Sequence, residues 1–267
     1  MLVVAGVGVL ALALAVPVPA SSGGAEASSA CPPLPRRVPV LLIRRPRWLS
    51  NTLVTEYFPV REAWFRGRPV RAPGLGSAHR ADWLYGTHGV AMNGEGIGLD
   101  GRVYHFAGPY DLSWVNANGV ATSPCWNGTW TRGEPVWYGG GWRNAAGQVT
   151  YPLRAGGWAN GRPVRSIHLA DPPRFAAGPS LPLDYWHRVA VDPKLIPLGS
   201  RVFIPAYCRT PAHGWFTAGD VGGAIIARHV DVFRAPPASL DRLHALHGQT
   251  IFVIPPGTVA RNTPRCR

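Results

Sequence analysis

R-V-A-V-D-P-K-L-I-P-L-G-S-R-V-F-I-P at 188–205, T-A-G-D-V-G-G-A-I-I at 217–226 and R-H-V-D-V-F at 228–233 decide how this chain is read. Each stretch is a β-like run of Val, Ile, Ala or Phe that an aspartate interrupts or ends: Asp192, Asp220 and Asp231. Aspartate is depleted in strands, because it packs poorly on a half-buried pleated surface and competes for backbone hydrogen bonds. One such residue reads as a strand-end turn. Three in about forty residues, in a chain with 14 acidic side chains, point to converging carboxylates and acid–base chemistry.

The local settings differ. In H-V-D-V-F, alternation puts Val230 and Val232 on one face and Asp231 and Phe233 on the other. A carboxylate beside an aromatic ring is open to desolvation, which raises its pKa as a general acid requires; a surface-facing Asp on a half-exposed strand is the structural alternative. Asp220 precedes Gly222 and Gly223, where the backbone can approach a ligand or simply turn. Asp192-Pro193 ends a strand in a rigid turn, so Asp192 reads as a structural acceptor of turn amides.

Strand signals recur at Arg188–Val191, Arg201–Ile204, Trp215–Ala218, Val230–Phe233 and Thr250–Ile254, with an earlier one at Thr52–Val60. A D-G hairpin signal lies at Asp100-Gly101, and Trp126, Trp130, Trp137, Trp142 and Trp158 stand among glycines, either as packing residues or as sugar-stacking faces. Pro237–His247 reads as a helix capped by Ser239, with Leu240, Leu243 and Leu246 on one side. The chain is mainly β.

Met1 to about Pro19 is an apolar run followed by small residues. Residues 1–20 therefore read as a signal peptide cleaved after Ala20, with a retained anchor as the alternative, and no stable membrane span is expected after cleavage. About 245 residues remain. Four widely spaced cysteines, Cys31, Cys125, Cys208 and Cys266, favour disulfides in an exported protein, in any of three connectivities; Cys31 and Cys266 are placed to clamp the termini. The net charge of +13 is almost all arginine, Lys194 being the single lysine. It predicts attraction to anionic wall polymers. Nucleic acid is not expected, since the arginines are scattered and accompany no recognition motif. No G-x-S-x-G marks a serine hydrolase. His244 and His247 lack a third metal ligand, so no metal site is expected. Asn127-Gly128-Thr129 fits a glycosylation acceptor.

Together V-A-V-D-P-K-L-I-P-L-G-S-R-V-F-I-P, G-D-V-G-G-A-I and H-V-D-V-F resemble the three-aspartate domain of cell-wall lytic transglycosylases, which also forms the C-terminal part of the membrane-bound lytic transglycosylase A family. T-E-Y-F-P at 55–59 is similar to the T-x-Y-x-P segment these proteins place on an early barrel strand. The resemblance implies a six-stranded double-psi β-barrel carrying a large Trp/Gly-rich β insertion or second lobe. The organisation is then a linker at 21–50, a first barrel strand at 51–60, the second lobe at 61–180, the three-aspartate barrel at 181–258 and a tail at 259–267.

It further implies a secreted or wall-associated enzyme that cleaves the β-1,4 bond between N-acetylmuramic acid and N-acetylglucosamine in peptidoglycan and leaves a 1,6-anhydro end. When the sugar's own C6 hydroxyl attacks C1, one carboxyl can protonate the leaving oxygen and later accept the hydroxyl proton, whereas ordinary glycosidases need two. That role falls on Asp231, with Asp220 as the neighbouring site carboxylate and Asp192 holding geometry. Gly222, Gly223, Tyr57 and Lys194 are expected along the glycan, and the resemblance implies no metal or organic cofactor. Two departures stand out. Ile226-Ala227 replaces glycine found in many relatives, and residues 61–180 follow no substrate-lobe motif, leaving Glu95 a subsidiary candidate. A non-catalytic wall-binding or wall-loosening module is the alternative, and a hydrolase with a second carboxylate is a third reading.

Overall fold

Val189-Ala190-Val191 and Val230-Asp231-Val232 put a β-branched residue at every second position, and alternate side chains of an extended chain leave opposite faces. The structure is a computed structural model that describes residues 30–33, 42–86, 88–108, 113–115, 120–125, 129–133, 141–143, 149–150, 174–239 and 245–266. Strand β1 (Arg47–Tyr57) comes first. A second group of elements follows: β2 (Val60–Arg61), β3 (Pro69–Arg71), β4 (Ala78–Arg80), helices α1 (Ala81–Tyr85) and α2 (Val90–Asn93), β5 (Glu95–Ile97) and β6 (Val103–Phe106). It continues with β7 (Ser113–Val115), β8 (Gly141–Arg143), β9 (Val149–Thr150) and β10 (Phe175–Ala177). The last five strands are β11 (Arg188–Val191), β12 (Arg201–Phe203), β13 (Trp215–Asp220), β14 (His229–Phe233) and β15 (Leu246–Ile254).

Strand β1 and these five close a six-stranded barrel in the order β1-β14-β11-β13-β12-β15. The β1/β14 and β11/β13 pairs are parallel, and the other four are antiparallel. Inside pack Leu49, Val54, Val189, Val191, Val202, Phe216, Ala218, Val230, Val232, Ile251 and Val253, all buried. A fully buried valine of this kind stabilises the fold by roughly 1.5 kcal/mol or more.

Two boundaries differ from the sequence reading. The first barrel strand begins at Arg47, within the segment assigned to the linker, and ends at Tyr57. Phe58 and Pro59 then break the ladder, since proline has no N–H to donate, and Val60 starts a strand of another sheet. The helix expected over 237–247 has its centre, 240–244, outside the described residues, but Leu246 and His247 already belong to β15. Leu246 pairs with Val54 and packs on the barrel core. Pairing with both β1 and β12 outweighs the local leucine spacing.

The second group has its own core of Phe58, Val60, Phe65, Trp83, Leu84, Val90, Tyr104 and Phe175. Its sheets run β10-β6-β5-β2, β3-β4 and β7-β8-β9. The Asp100-Gly101 signal is realised as the β5–β6 hairpin, with Gly101 at φ 77°. Trp130 is buried, while Trp126, Trp137, Trp158, Asn127 and His244 lie outside the described residues, as does the apolar N-terminus. Among the described residues no helix is long and apolar enough to cross a membrane. The cysteines pair as Cys31–Cys125 and Cys208–Cys266, so each terminal cysteine is tied to an interior one.

Candidate active site on the outer face of the barrel

With Val230 and Val232 in the core, Asp231 faces outward on β14. Its register partners are Thr55 on one side and Ala190 on the other. Ala190 is in turn opposite Asp220 on β13. One row therefore crosses four adjacent strands: Thr55, Asp231, Ala190, Asp220. The place of Asp220 in it depends on a bulge. Plain alternation after the buried Ala218 would send Asp220 toward the core. Instead Val189 pairs with Ala218 and Ala190 with Asp220, so Gly219 is the extra residue that turns the carboxylate outward.

The Asp220 carboxylate is held at both oxygens. The Tyr57 hydroxyl donates to Oδ2 at 2.7 Å and the Val221 amide to Oδ1 at 2.7 Å. Burial, followed by the charge of Asp220, raises the Tyr57 pKa, so the phenol keeps its proton. The positive charge of Arg188 acts on Tyr57 in the opposite sense. The Tyr57 ring packs on Phe233 at 5.0 Å between centroids, and Phe233 on Tyr185 at 5.1 Å.

Asp231 is half-buried, and desolvation pushes its carboxyl up to about 7. The Thr55 hydrogen bond opposes the shift, while the charges of Asp220 and Glu56 add to it. Glu56 is itself held by the Tyr207 hydroxyl at 2.9 Å and by Arg234 at 2.6 Å, and the Arg234 guanidinium lies 4.6 Å over the Phe58 ring.

Thr55 and His229, which the sequence reading did not assign, complete the surroundings of Asp231. Thr55 Oγ1 lies 2.6 Å from Asp231 Oδ1 and 2.8 Å from His229 Nε2. His229 Nδ1 is 3.2 Å from the Ala224 carbonyl, to which it must donate. Burial lowers the His229 pKa, the Ala224 bond opposing, so the ring is neutral at pH 7 and Nε2 is an acceptor. A hydroxyl has one hydrogen. When Asp231 is ionised, Thr55 donates to it and His229 Nε2 is left without a donor. When Asp231 is protonated, its O–H can point to Thr55, Thr55 to His229 and His229 to Ala224, and every contact is satisfied. An unbroken chain of donors is thus open to the acid; desolvation favours that state, while the Thr55 hydroxyl steadies the carboxylate once the proton has left.

The remaining predicted residues are placed differently. Asp192 is buried, with Lys194 N–H on Oδ1 at 2.9 Å and Ala227 N–H on Oδ2 at 2.7 Å. It braces the turn after β11 against the loop entering β14. Ala227 stands at φ 52°, left-handed backbone that suits glycine, which gives the Ile226-Ala227 departure a physical meaning. Lys194 meets this brace through its backbone amide, and its side chain is exposed. Gly222 and Gly223 lie in the loop that follows Asp220; Gly222 turns to accept the Ile225 amide, and a Cβ there would come within 2.7 Å of the Ile225 side chain. Glu95 belongs to the second group, where Oε1 accepts from Ser180 and Leu181. Among the described residues no group of three or more His, Cys, Asp or Glu is placed to hold a metal ion.

Residues 187–242 match the family model described as the 3D domain. A 45-residue stretch is 49% identical to the cell wall-binding protein YocH of Bacillus subtilis (strain 168); it covers 17% of this chain and 14% of the length of that relative. Among solved structures, the chain is similar to a membrane-bound lytic murein transglycosylase from Agrobacterium tumefaciens, with TM-score 0.37 and 12% identity over 79% of this chain and 77% of that one. It is also similar to MltA from Escherichia coli, with TM-score 0.35 and 15% identity over 76% and 71%. The chain carries a 3D domain, which supplies four of the six barrel strands and contains Asp192, Asp220 and Asp231.

Proposed function

We propose that the protein is an exported lytic transglycosylase that cleaves the MurNAc-β-1,4-GlcNAc bond of peptidoglycan and leaves a 1,6-anhydroMurNAc end. The observation that carries this reading is the environment of Asp231: a desolvated carboxyl, raised to about 7, joined to a hydrogen-bond chain that its protonated form alone completes. Such a group is protonated in a useful fraction near neutrality and can deliver its proton to a glycosidic oxygen. Once ionised, it receives the Thr55 hydroxyl, which stabilises it until it takes the C6 hydroxyl proton as that oxygen closes on C1.

Asp220 supports the same route. Both of its oxygens already accept hydrogen bonds, which suits a fixed negative charge better than a base that must take a proton from water. In this role it keeps Asp231 protonated and stabilises positive character at C1. Asp192 positions the strand that carries Asp231, and Gly222, Gly223, Tyr57 and the exposed Lys194 border the glycan. Residues 61–180 act as a second lobe beside the barrel, residues 1–20 direct export, and the net charge of +13 favours retention on anionic wall polymers.

One observation favours a second reading. The identity to a cell wall-binding protein, short as it is, fits a barrel that binds wall glycan without cutting it. Mass spectrometry of purified peptidoglycan incubated with the mature protein separates the two. Anhydro-muropeptides are expected from the wild type and not from Asp231→Asn. Reducing ends would mean hydrolysis, and intact glycan that retains the protein would mean binding alone.

A further inference from the structure

Away from the barrel, Ser77, His79 and Glu62 form a second constellation. Ser77 Oγ lies 2.8 Å from His79 Nε2, and His79 Nδ1 lies 2.9 Å from Glu62 Oε2. Glu62 and His79 are 2% and 4% exposed, whereas Ser77 is on the surface. Glu62 also accepts the Arg80 amide at 2.7 Å and the Leu99 amide at 3.0 Å. The Glu62 carboxyl accepts at both oxygens. It fixes the Nδ1–H tautomer of His79, so Nε2 presents its lone pair to the Ser77 hydroxyl. The imidazole is packed between two rings, Tyr104 edge-on at 4.6 Å and 65° and Trp83 tilted at 5.0 Å and 41°.

The Ser77 hydroxyl also bonds the Tyr104 phenol, which donates to Asp100 Oδ2 at 2.6 Å, so the serine stands where this network reaches the surface. Here a buried acid orients a buried base, and the base meets a surface serine. These are the roles and contacts of an acyl-transfer triad, which is recognised by geometry and not by sequence order. Ser77 and His79 lie two residues apart, just before and within β4, on one side of an extended segment. The neighbouring Gly76 has open space beside its α-carbon, leaving room for an incoming carbonyl.

We infer that Ser77, His79 and Glu62 form a second catalytic site, an esterase that removes acyl groups from hydroxyls of the wall glycan. Ser77 Oγ attacks the ester carbonyl carbon while its proton passes to His79 Nε2. The tetrahedral intermediate collapses, the bond to the sugar oxygen breaks, and His79 returns the proton to that oxygen. Water then repeats the sequence on the acyl-serine and releases the carboxylic acid. The choice of substrate rests on the transglycosylase reading. Closure of a 1,6-anhydro ring needs a C6 hydroxyl, and an ester on that oxygen blocks it, so deacylation supplies the nucleophile the barrel site requires.

The test uses the full mature chain with p-nitrophenyl acetate, a fluorophosphonate and O-acetylated peptidoglycan. Expected results are p-nitrophenol release, a phosphonyl adduct on Ser77 and acetate release from the glycan. Ser77→Ala and His79→Gln should each lower turnover by about 10³-fold. Ser77 is exposed, so its truncation is the decisive variant even where replacement of the buried histidine disturbs folding. A wild type no faster than Ser77→Ala, or an adduct on another serine, overturns the site. Turnover of p-nitrophenyl acetate without acetate from the glycan overturns the substrate. Acetate and anhydro ends are measured independently, so the esterase and transglycosylase readings fail separately.

Discussion

Replacing Asp231 by asparagine removes a charge that the fold resists, and the effect on stability can be worked out with its sign. The folded carboxyl titrates near 7 against an ordinary value of 3.8. Below about pH 4 it is protonated in both the folded and unfolded chain, and the stability that goes with the protonated form is fully present. Between 4 and 7 the unfolded chain releases the proton first, so stability falls as pH rises through this window and levels off above the folded pKa. A displacement of about three units corresponds to about 4 kcal/mol. Asp231 retains solvent contact, which reduces the expectation to about 2–3 kcal/mol. Asparagine carries no charge at any pH and can donate to Thr55 as the protonated acid does. Urea unfolding at a series of pH values is the assay. The variant should match the wild type at pH 3.5, gain on it from pH 4 to 7, and unfold above pH 7.5 at a midpoint higher by about 1 M. A difference that is constant with pH, or a variant less stable at pH 8, would refute the desolvation argument. The same protein should have lost glycan cleavage, which would place stability and activity in opposition at one residue.

Thr55→Val deprives the ionised Asp231 of its donor and should raise the Asp231 pKa by about one unit, moving the alkaline limb of the cleavage profile up by the same amount. An unmoved limb would exclude Thr55 from the titration. Ala227→Gly relieves left-handed backbone at φ 52°, offset in part by the greater freedom of glycine in the unfolded chain. A net gain of about 0.5 kcal/mol is expected in thermal unfolding, and a fall in Tm would count against it. Cutting the Cys208–Cys266 link by paired serine substitution opens a loop of sequence separation 58. A loss of about 4 kcal/mol on the chain-entropy account is expected in denaturant unfolding.

The parts of this site that were legible in the sequence are those that depend on strand periodicity. The V-D-V pattern placed Asp231 opposite the core, and the D-G pair marked the β5–β6 hairpin. The following glycines mark Asp220, but its facing is not readable from the sequence, because counting by twos sends it inward and the bulge at Gly219 appears only when β13 is laid against β11. Thr55 was hidden by its ordinariness, since threonine suits any strand. Its importance comes from a partner 176 residues away. His229 stood in the quoted R-H-V-D-V-F, yet its tautomer depends on the Ala224 carbonyl across a loop. The end of the helix expected over 237–247 gave way for a similar reason: Leu246 and His247 lie in β15, which pairs with two neighbouring strands that no local window contains.

The pairing of β1 has a consequence for the order in which the chain can fold. This strand is made well before its barrel neighbours β14 and β15, and Arg47 ends opposite Val253. Until those two strands are present, β1 has no barrel partner, and loop closure over such distances is slow. The barrel cannot lock while its C-terminal strands are still on the ribosome or in a translocation channel. For a chain exported as proposed above, that delay keeps the polypeptide threadable until it has crossed. The cost is a period in which a β-rich segment waits with unsatisfied edges, exposed to aggregation until the C-terminal strands arrive.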